Sequence, residues 1–218
     1  MRRAYVFDAY GTLLDIHAAV HRHANAIGAD FQAFSDLWRA KQLEYSWVRT
    51  LMGAYVDFWQ LTQDALEYAF SKFPTIDRGL RAGLLDAYLR LDCHPDVPDA
   101  LRRIKADGAS LALLSNGSPA MLEAAVASAD LGGVLDELFS VDSVGHFKAH
   151  PLAYAIFEER WQLSPGEISF VSSNRWDIAG ANKAGFHTIW LNRSNLPEEY
   201  SDFPPSRIIH SMDEILLD

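Results

Sequence analysis

Cysteine is almost absent from this sequence: Cys93 is the single one in 218 residues. No disulfide can form within the chain, and no cysteine-rich zinc site can be built. A lone thiol suits a reducing cytoplasm, and Cys93, in a linker, is expected to be inert. Long apolar runs are also missing. None approaches the ~20 residues of a membrane-spanning helix. The segment Met1–Phe7 is too short for a secretory leader before it meets Asp8. Positive charge is scarce, with 19 Lys and Arg against 29 Asp and Glu and a formal charge of −10. Nucleic acids and anionic membranes need clustered positive charge and are therefore disfavoured as partners. Repeats and low-complexity stretches are absent as well. Hydrophobic residues make up 49% of the chain, enough for a core that needs no covalent staples.

The apolar runs that do occur are short and end in polar residues. Ala4–Phe7 delivers Asp8 and a turn at Gly11-Thr12. Ser110–Leu114 ends in Ser115-Asn116-Gly117, and Ile168–Val171 ends in Ser172-Ser173-Asn174. Thr188–Leu191 and Arg207–Ile209 follow. Helical patterns cover Val97–Ala106, Pro119–Ser128, Pro151–Trp161 and Trp176–Ala184. Strands alternating with helices predict an α/β fold, a Rossmann-like parallel sheet with helices on both faces. The stretch from about Ile16 to Leu91 breaks the alternation and is helical in pattern, as in Phe34-Leu37-Trp38-Lys41 and Leu51-Tyr55-Phe58-Trp59. It is expected to be an inserted helical cap domain, residues 15–92, on a core of residues 1–14 and 93–218. Ligands of an open parallel sheet sit beyond the carboxyl ends of its strands. Asp8, Ser115-Asn116 and Ser172–Asp177 should therefore meet in one crevice beneath the cap.

A carboxylate at a strand end followed by a glycine turn can attack an electrophile and form an ester; it can equally be a turn aspartate. The remaining motifs favour the first. Asp8–Thr12, Ser115-Asn116-Gly117, Lys148 and Ser172–Asp177 resemble, in order, the four motifs of the haloacid dehalogenase superfamily. Leu37-Trp38-Arg39-Ala40-Lys41-Gln42-Leu43-Glu44-Tyr45 and Phe170-Val171-Ser172-Ser173-Asn174-Arg175-Trp176-Asp177 resemble the L-2-haloacid dehalogenase family in particular, and the resemblance covers nearly the whole chain. Superfamily phosphatases carry a second aspartate two residues after the nucleophile, to protonate an alkoxide. Here that position is Tyr10, whose phenol has an ordinary pKa of roughly 10 and is a poor acid at neutral pH. Phosphatases also gather acidic residues for Mg²⁺ in the fourth motif; Asp177 is the only one between Ser172 and Asp177. A halide leaves without a proton and a substrate without phosphate needs no magnesium.

The resemblance implies hydrolysis of (S)-2-haloalkanoic acids to (R)-2-hydroxy acids, without metal or other cofactor, through an ester on Asp8. It implies that Lys148 pairs with Asp8 and Asp177 and favours the ionised nucleophile, and that Ser115 and Asn116 receive the substrate carboxylate, with Asn116 also facing the halide. Without the resemblance, Ser115-Asn116 reads equally as a helix N-cap cluster and Lys148 as a surface lysine. Arg39 stabilises the departing halide; Tyr10, Leu43, Phe58 and Trp176 line the pocket. Thr12, Ser172, Asn174 and Asp177 position and activate water. Asp177 is the obvious base, although pairing with Lys148 should lower its pKa. Tyr154 points back to the site or is a core tyrosine. Ala149 replaces the commoner proline after the lysine. Arg175 stands where the family carries small residues, and either adds charge beside the site or lies outside it. His17, His21 and His23 have a helical metal-ligand spacing but no matching acid, so no metal is expected. A homodimer is common among relatives, while no residue here fixes the oligomeric state. Two rivals stay open: a phosphatase of the same fold acting on small esters, and a non-catalytic binding protein.

Overall fold

The computed structural model describes residues 4–216, with residues 158 and 159 described for their backbone only; Arg2 and Arg3 lie outside the described residues. The chain opens with β1 (Ala4–Phe7). Five helices follow: α1 (Ala18–His21), α2 (Ala24–Ile27), α3 (Phe31–Met52), α4 (Phe58–Lys72) and α5 (Arg81–Leu89). Then come α6 (Val97–Ala106), β2 (Ser110–Ser115), α7 (Pro119–Ser128), β3 (Glu137–Ser140), α8 (Pro151–Tyr154) and α9 (Ile156–Trp161). The chain ends with β4 (Ile168–Ser172), α10 (Arg175–Lys183), β5 (His187–Leu191) and β6 (Arg207–Ile209).

The six strands form one parallel sheet in the order β3-β2-β1-β4-β5-β6. β1 and β4 are buried along their whole length, as strands covered on both faces must be. Each fully buried Phe or Leu, such as Phe7, Leu113 and Phe170, contributes about 1.5–3 kcal/mol. The chain lays strands outward from β1 through β2 to β3, then crosses back to β4. The direction reverses between β1 and β4, and this is where such sheets leave a crevice for ligands. Phe7 is in register with Leu113 and Val171, so the residues that follow all three strands emerge at one level.

β3 is a difference from the sequence expectation, which lists five strands. Glu137-Leu138-Phe139-Ser140 is a four-residue edge strand with its first half partly exposed, so it lacks the continuous apolar run of its neighbours. The helix expected over Pro151–Trp161 is two helices, interrupted at Ala155. The helix expected from Trp176 starts one residue earlier, with Asn174 as N-cap.

Every element between β1 and β2 is a helix, joined by short loops, and the longest two, α3 and α4, form a packed hairpin. α3 stops at Gly53 in the left-handed conformation, and Asp57 caps α4 by accepting the Gln60 N–H (2.8 Å). Phe34, Trp38, Leu61, Leu66 and Phe70 fill the space between them. The two connections to the sheet pair with each other: the Asp15 N–H donates to the Asp92 carbonyl, and the His94 N–H to that of Leu13 (2.9 Å each).

Just beyond this ribbon, Asp96 takes two bonds from Arg193 (2.6 and 2.9 Å), one from the Ser211 hydroxyl (3.0 Å) and one from the Met212 N–H (2.9 Å). Burial opposes the Asp96 charge, but these donors outweigh it and hold its pKa at about 2. A depressed carboxylate contributes stability that is complete above its unfolded pKa of 3.8 and lost as the pH falls toward about 2. Asp96→Asn is therefore expected to lower unfolding stability by about 2 kcal/mol at neutral pH. In urea titrations of both proteins, that difference should stay constant down to about pH 5 and shrink below it.

Candidate active site

Asp8 follows β1 directly, and its N–H extends the ladder to the Val171 carbonyl (2.9 Å). The chain then turns tightly: the N–H groups of Thr12, Leu13 and Leu14 all point at the Ala9 carbonyl. Gly11 makes this possible at φ +89°, a conformation costly for a residue with a Cβ. The turn brings Thr12 back over the carboxylate, and its hydroxyl donates to Asp8 Oδ2 (2.8 Å). Asn174, the N-cap of α10, donates its side-chain amide to the same oxygen (2.8 Å), and the Ser172 hydroxyl stands 3.5 Å from it. Asp8 Oδ1 accepts from Lys148 Nζ (3.0 Å).

Lys148 is 1% exposed and has a second partner, Asp177 Oδ2 (2.9 Å). Its N–H donates to Asn116 Oδ1 (2.9 Å), and its peptide bond to Ala149 is cis. Burial works against the ammonium, but the two carboxylates more than offset it and raise its pKa. The other oxygen of Asp177 accepts from the Tyr154 hydroxyl (2.7 Å). This contact relies on Gly180, since a Cβ there would lie 2.5 Å from the Tyr154 oxygen. Asp177 corrects the sequence expectation in one way. Its pKa is pushed up rather than down, because complete burial outweighs the Lys148 charge and Asp8 adds repulsion. Each of its oxygens holds a donor, Lys148 on one and Tyr154 on the other.

The structure brings Asp8, Thr12, Lys148, Tyr154, Ser172, Asn174 and Asp177 together by direct hydrogen bonds or contacts. Ser115 and Asn116 lie beside them at the end of β2. Ser115 Oγ accepts the Gly117 N–H (3.1 Å), and neither residue caps α7, whose N-cap is Ser118. Arg39 reaches down from α3, its guanidinium 3.4 Å from the Tyr10 carbonyl. Leu43 is half-buried one turn further along α3, on the same side as Arg39. Tyr10 is 3% exposed, with its ring stacked on Tyr88 (5.7 Å) and beside Phe58 (6.5 Å), and its hydroxyl has no partner among the described residues. Burial raises its pKa far above the ordinary phenol range. Trp176 meets Trp47 edge to face (5.5 Å) across the boundary of insert and sheet.

Arg175 does not enter this cluster. Its side chain is buried against the segment 198–203, bonded to Glu198 (2.7 Å) and to the carbonyls of Tyr200 (3.1 Å) and Phe203 (2.9 Å). His17 and His21 stack at 6.2 Å, and among the described residues no group of three or more His, Cys, Asp or Glu could hold a metal ion. Sequence reasoning missed the support under the aromatic wall. Gln42, 1% exposed, donates to Thr62 Oγ1 (3.0 Å) and sits 3.4 Å from the Tyr88 hydroxyl. A buried glutamine four residues after Trp38 on one helical face was the available signal. Tyr88 carried none.

The chain is similar to known proteins over nearly its whole length. The family model for haloacid dehalogenase-like hydrolases matches residues 2–185. An (S)-2-haloacid dehalogenase of Pseudomonas sp. strain CBS-3 is 47% identical over 98% of this chain and 94% of its own. A solved dehalogenase with an intermediate complex superposes with a TM-score of 0.96 at 46% identity, covering 98% of this chain and 95% of the other. An L-2-haloacid dehalogenase from Xanthobacter autotrophicus, with chloropropionic acid covalently bound, superposes with a TM-score of 0.89 at 34% identity, covering 99% and 97%. With a family model over most of its length and relatives this similar over nearly all of it, the chain belongs to the haloacid dehalogenase-like hydrolases and, within them, to the L-2-haloacid dehalogenase family.

Proposed function

We propose that this protein hydrolyses (S)-2-haloalkanoic acids to (R)-2-hydroxy acids through an ester on Asp8, with no metal. The observation that carries this reading is the asymmetry of the Asp8 carboxylate. Oδ2 faces Thr12, Asn174 and Ser172, while among the described residues Oδ1 has a single donor, Lys148. Oδ1 is the freer oxygen and attacks C2 opposite the halogen. The O–C2 bond forms as the carbon–halogen bond breaks, and the halide leaves with the electron pair. Charge grows on the halogen only as that bond breaks, so the Arg39 guanidinium stabilises the transition state more than the ground state. Ser115 and Asn116 hold the substrate carboxylate, which keeps C2 in line with Asp8. Tyr10, Leu43, Phe58 and Trp176 enclose the alkyl group and halogen.

In the second half, water adds to the carboxyl carbon of Asp8. The oxyanion develops on Oδ2, where the Thr12 and Asn174 donors are already aimed at 2.8 Å; such preorganised donors are each worth about 10²–10³ in rate. Collapse of this intermediate expels the 2-hydroxy acid and restores Asp8. Tyr10, buried and held as the neutral phenol, takes no part in proton transfer, and a halide needs none.

Halide release from the two enantiomers of 2-chloropropionate, with and without EDTA, tests the proposal. Chloride should appear from the (S) form only and be unaffected by chelator. Magnesium-dependent phosphate release from small phosphomonoesters, with no halide from any haloacid, would assign the site to the phosphatases of the same fold.

A further inference from the structure

Hydrolysis of an ester on Asp8 raises a demand that the sealed reaction centre does not meet. Water donates one proton to the departing alkoxide of the hydroxy acid; the other is released, because Asp8 returns as a carboxylate. One proton must therefore leave in every turnover. Thr12, Ser172 and Asp177 are 0% exposed and Lys148 is 1% exposed, so none can pass it to solvent directly.

On the far side of Asn174 lies a cleft of about 240 Å³, lined by Gly11, Asp15, His17, His94, Ser173, Asn174 and Arg193 among others. Asn174 belongs to both spaces: its amide touches Asp8 Oδ2 (2.8 Å), and it forms part of the cleft wall. The lining is polar, with Asp15, Asn174, Asn192 and Arg193 among it, and a polar cleft roomy enough for several waters is a wet one. Two imidazoles face it, His17 held by Ser35 Oγ (2.8 Å) and His94 beside Arg193.

We propose that this cleft is the water inlet and proton outlet of the second half-reaction, with His17 and His94 as the relay between the Asn174 wall and solvent. The inference rests on the aspartyl-ester reading above. Both rings suit the task, since each is neutral at neutral pH and free to accept a proton. For His17, burial lowers the pKa and outweighs Asp36 and Asp15, with His21 and Arg39 adding to the lowering. For His94, burial and Arg193 outweigh Asp15 and Asp96. Because both values are lowered, the relay should hold through the ordinary imidazole range and fail only at a more acidic pH, where both rings become charged.

The test is rapid quenching of (S)-2-chloropropionate turnover, with chloride and 2-hydroxy acid counted separately. In weak buffer, His17→Gln/His94→Gln should release its first equivalent of chloride at the wild-type rate and form hydroxy acid about tenfold more slowly. Added imidazole should restore the second rate, and the acidic limb of the wild-type profile should be lost. An unchanged second step, or a loss that imidazole does not restore, overturns the relay. Ser194→Trp, placed in the exposed lining of the same cleft, tests the route without touching either histidine. It should slow hydroxy-acid formation and leave the chloride burst intact; no effect overturns the inlet. A wild-type protein that releases no chloride fails the underlying reading, a result distinct from all of these.

Discussion

Asp8→Ala is expected to reduce halide release by roughly 10⁴-fold or more, the scale seen when an enzyme loses its nucleophile. It should do so without unfolding the protein. Lys148 serves two carboxylates at 3.0 and 2.9 Å, so the buried cluster carries one negative charge more than its positive charge. Removing Asp8 leaves a one-to-one pair of Lys148 and Asp177, and the thermal midpoint of the variant should equal or exceed that of the wild type. This is a trade of stability for function, as catalytic sites commonly make. Alanine is the better replacement, because an asparagine at this position can deamidate and recover activity slowly. A single turnover of the wild type in heavy-oxygen water gives a positive counterpart. Water that attacks the carboxyl carbon leaves its label in Asp8, and the first hydroxy acid formed is unlabelled. Label in that first product, with none in the Asp8 peptide, would mean that water attacks C2 directly and that no ester forms.

Much of this site was legible because its parts are local in sequence. Asp8 to Thr12 and Ser172 to Asp177 are each a strand end plus a turn, and parallel register alone aligns them. The pairing of Lys148 with both acids was an expectation carried by the family resemblance; the residues alone read equally as a surface lysine. The sense of the Asp177 shift was not legible, because a sequence shows the neighbouring charge and not the burial, and here burial wins. Arg175 could be placed beside the site by number, but whether it points in or out depended on the return of residues 198–203 from a distant part of the chain. β3 was invisible for a related reason: an edge strand buries half of itself and shows half an apolar pattern. The cleft behind Asn174 joins residues 11–17, 94, 173–174 and 191–196, four segments with no shared motif, so only the fold assembles it.

Lys148→Met should be the most damaging change to stability. The lysine is buried with two acids, and methionine keeps the volume while removing the charge that holds them together. Breaking a buried ion pair from one side costs about 3–5 kcal/mol, since the stranded charge remains. The pH dependence separates this from simple loss of packing. Asp177 already has a raised pKa, so its contribution is most favourable below the unfolded value of 3.8 and declines as the pH rises through the folded value. Without Lys148 that folded value rises further. The deficit of the variant should therefore be largest near neutrality and narrow as the pH falls and protons replace the missing ammonium. It should narrow at the other end as well. Lys148 has a raised pKa, so its contribution is complete below 10.5 and is lost as the pH rises through its folded value; at that point the wild type comes to resemble the variant. Urea unfolding of both proteins across this range should trace a difference with a broad maximum. A deficit that is flat with pH would mean that Lys148 holds the site by packing alone. The second-site change Asp8→Ala in the Lys148→Met background should then recover part of the lost stability and none of the activity, because it removes one of the two stranded carboxylates together with the nucleophile.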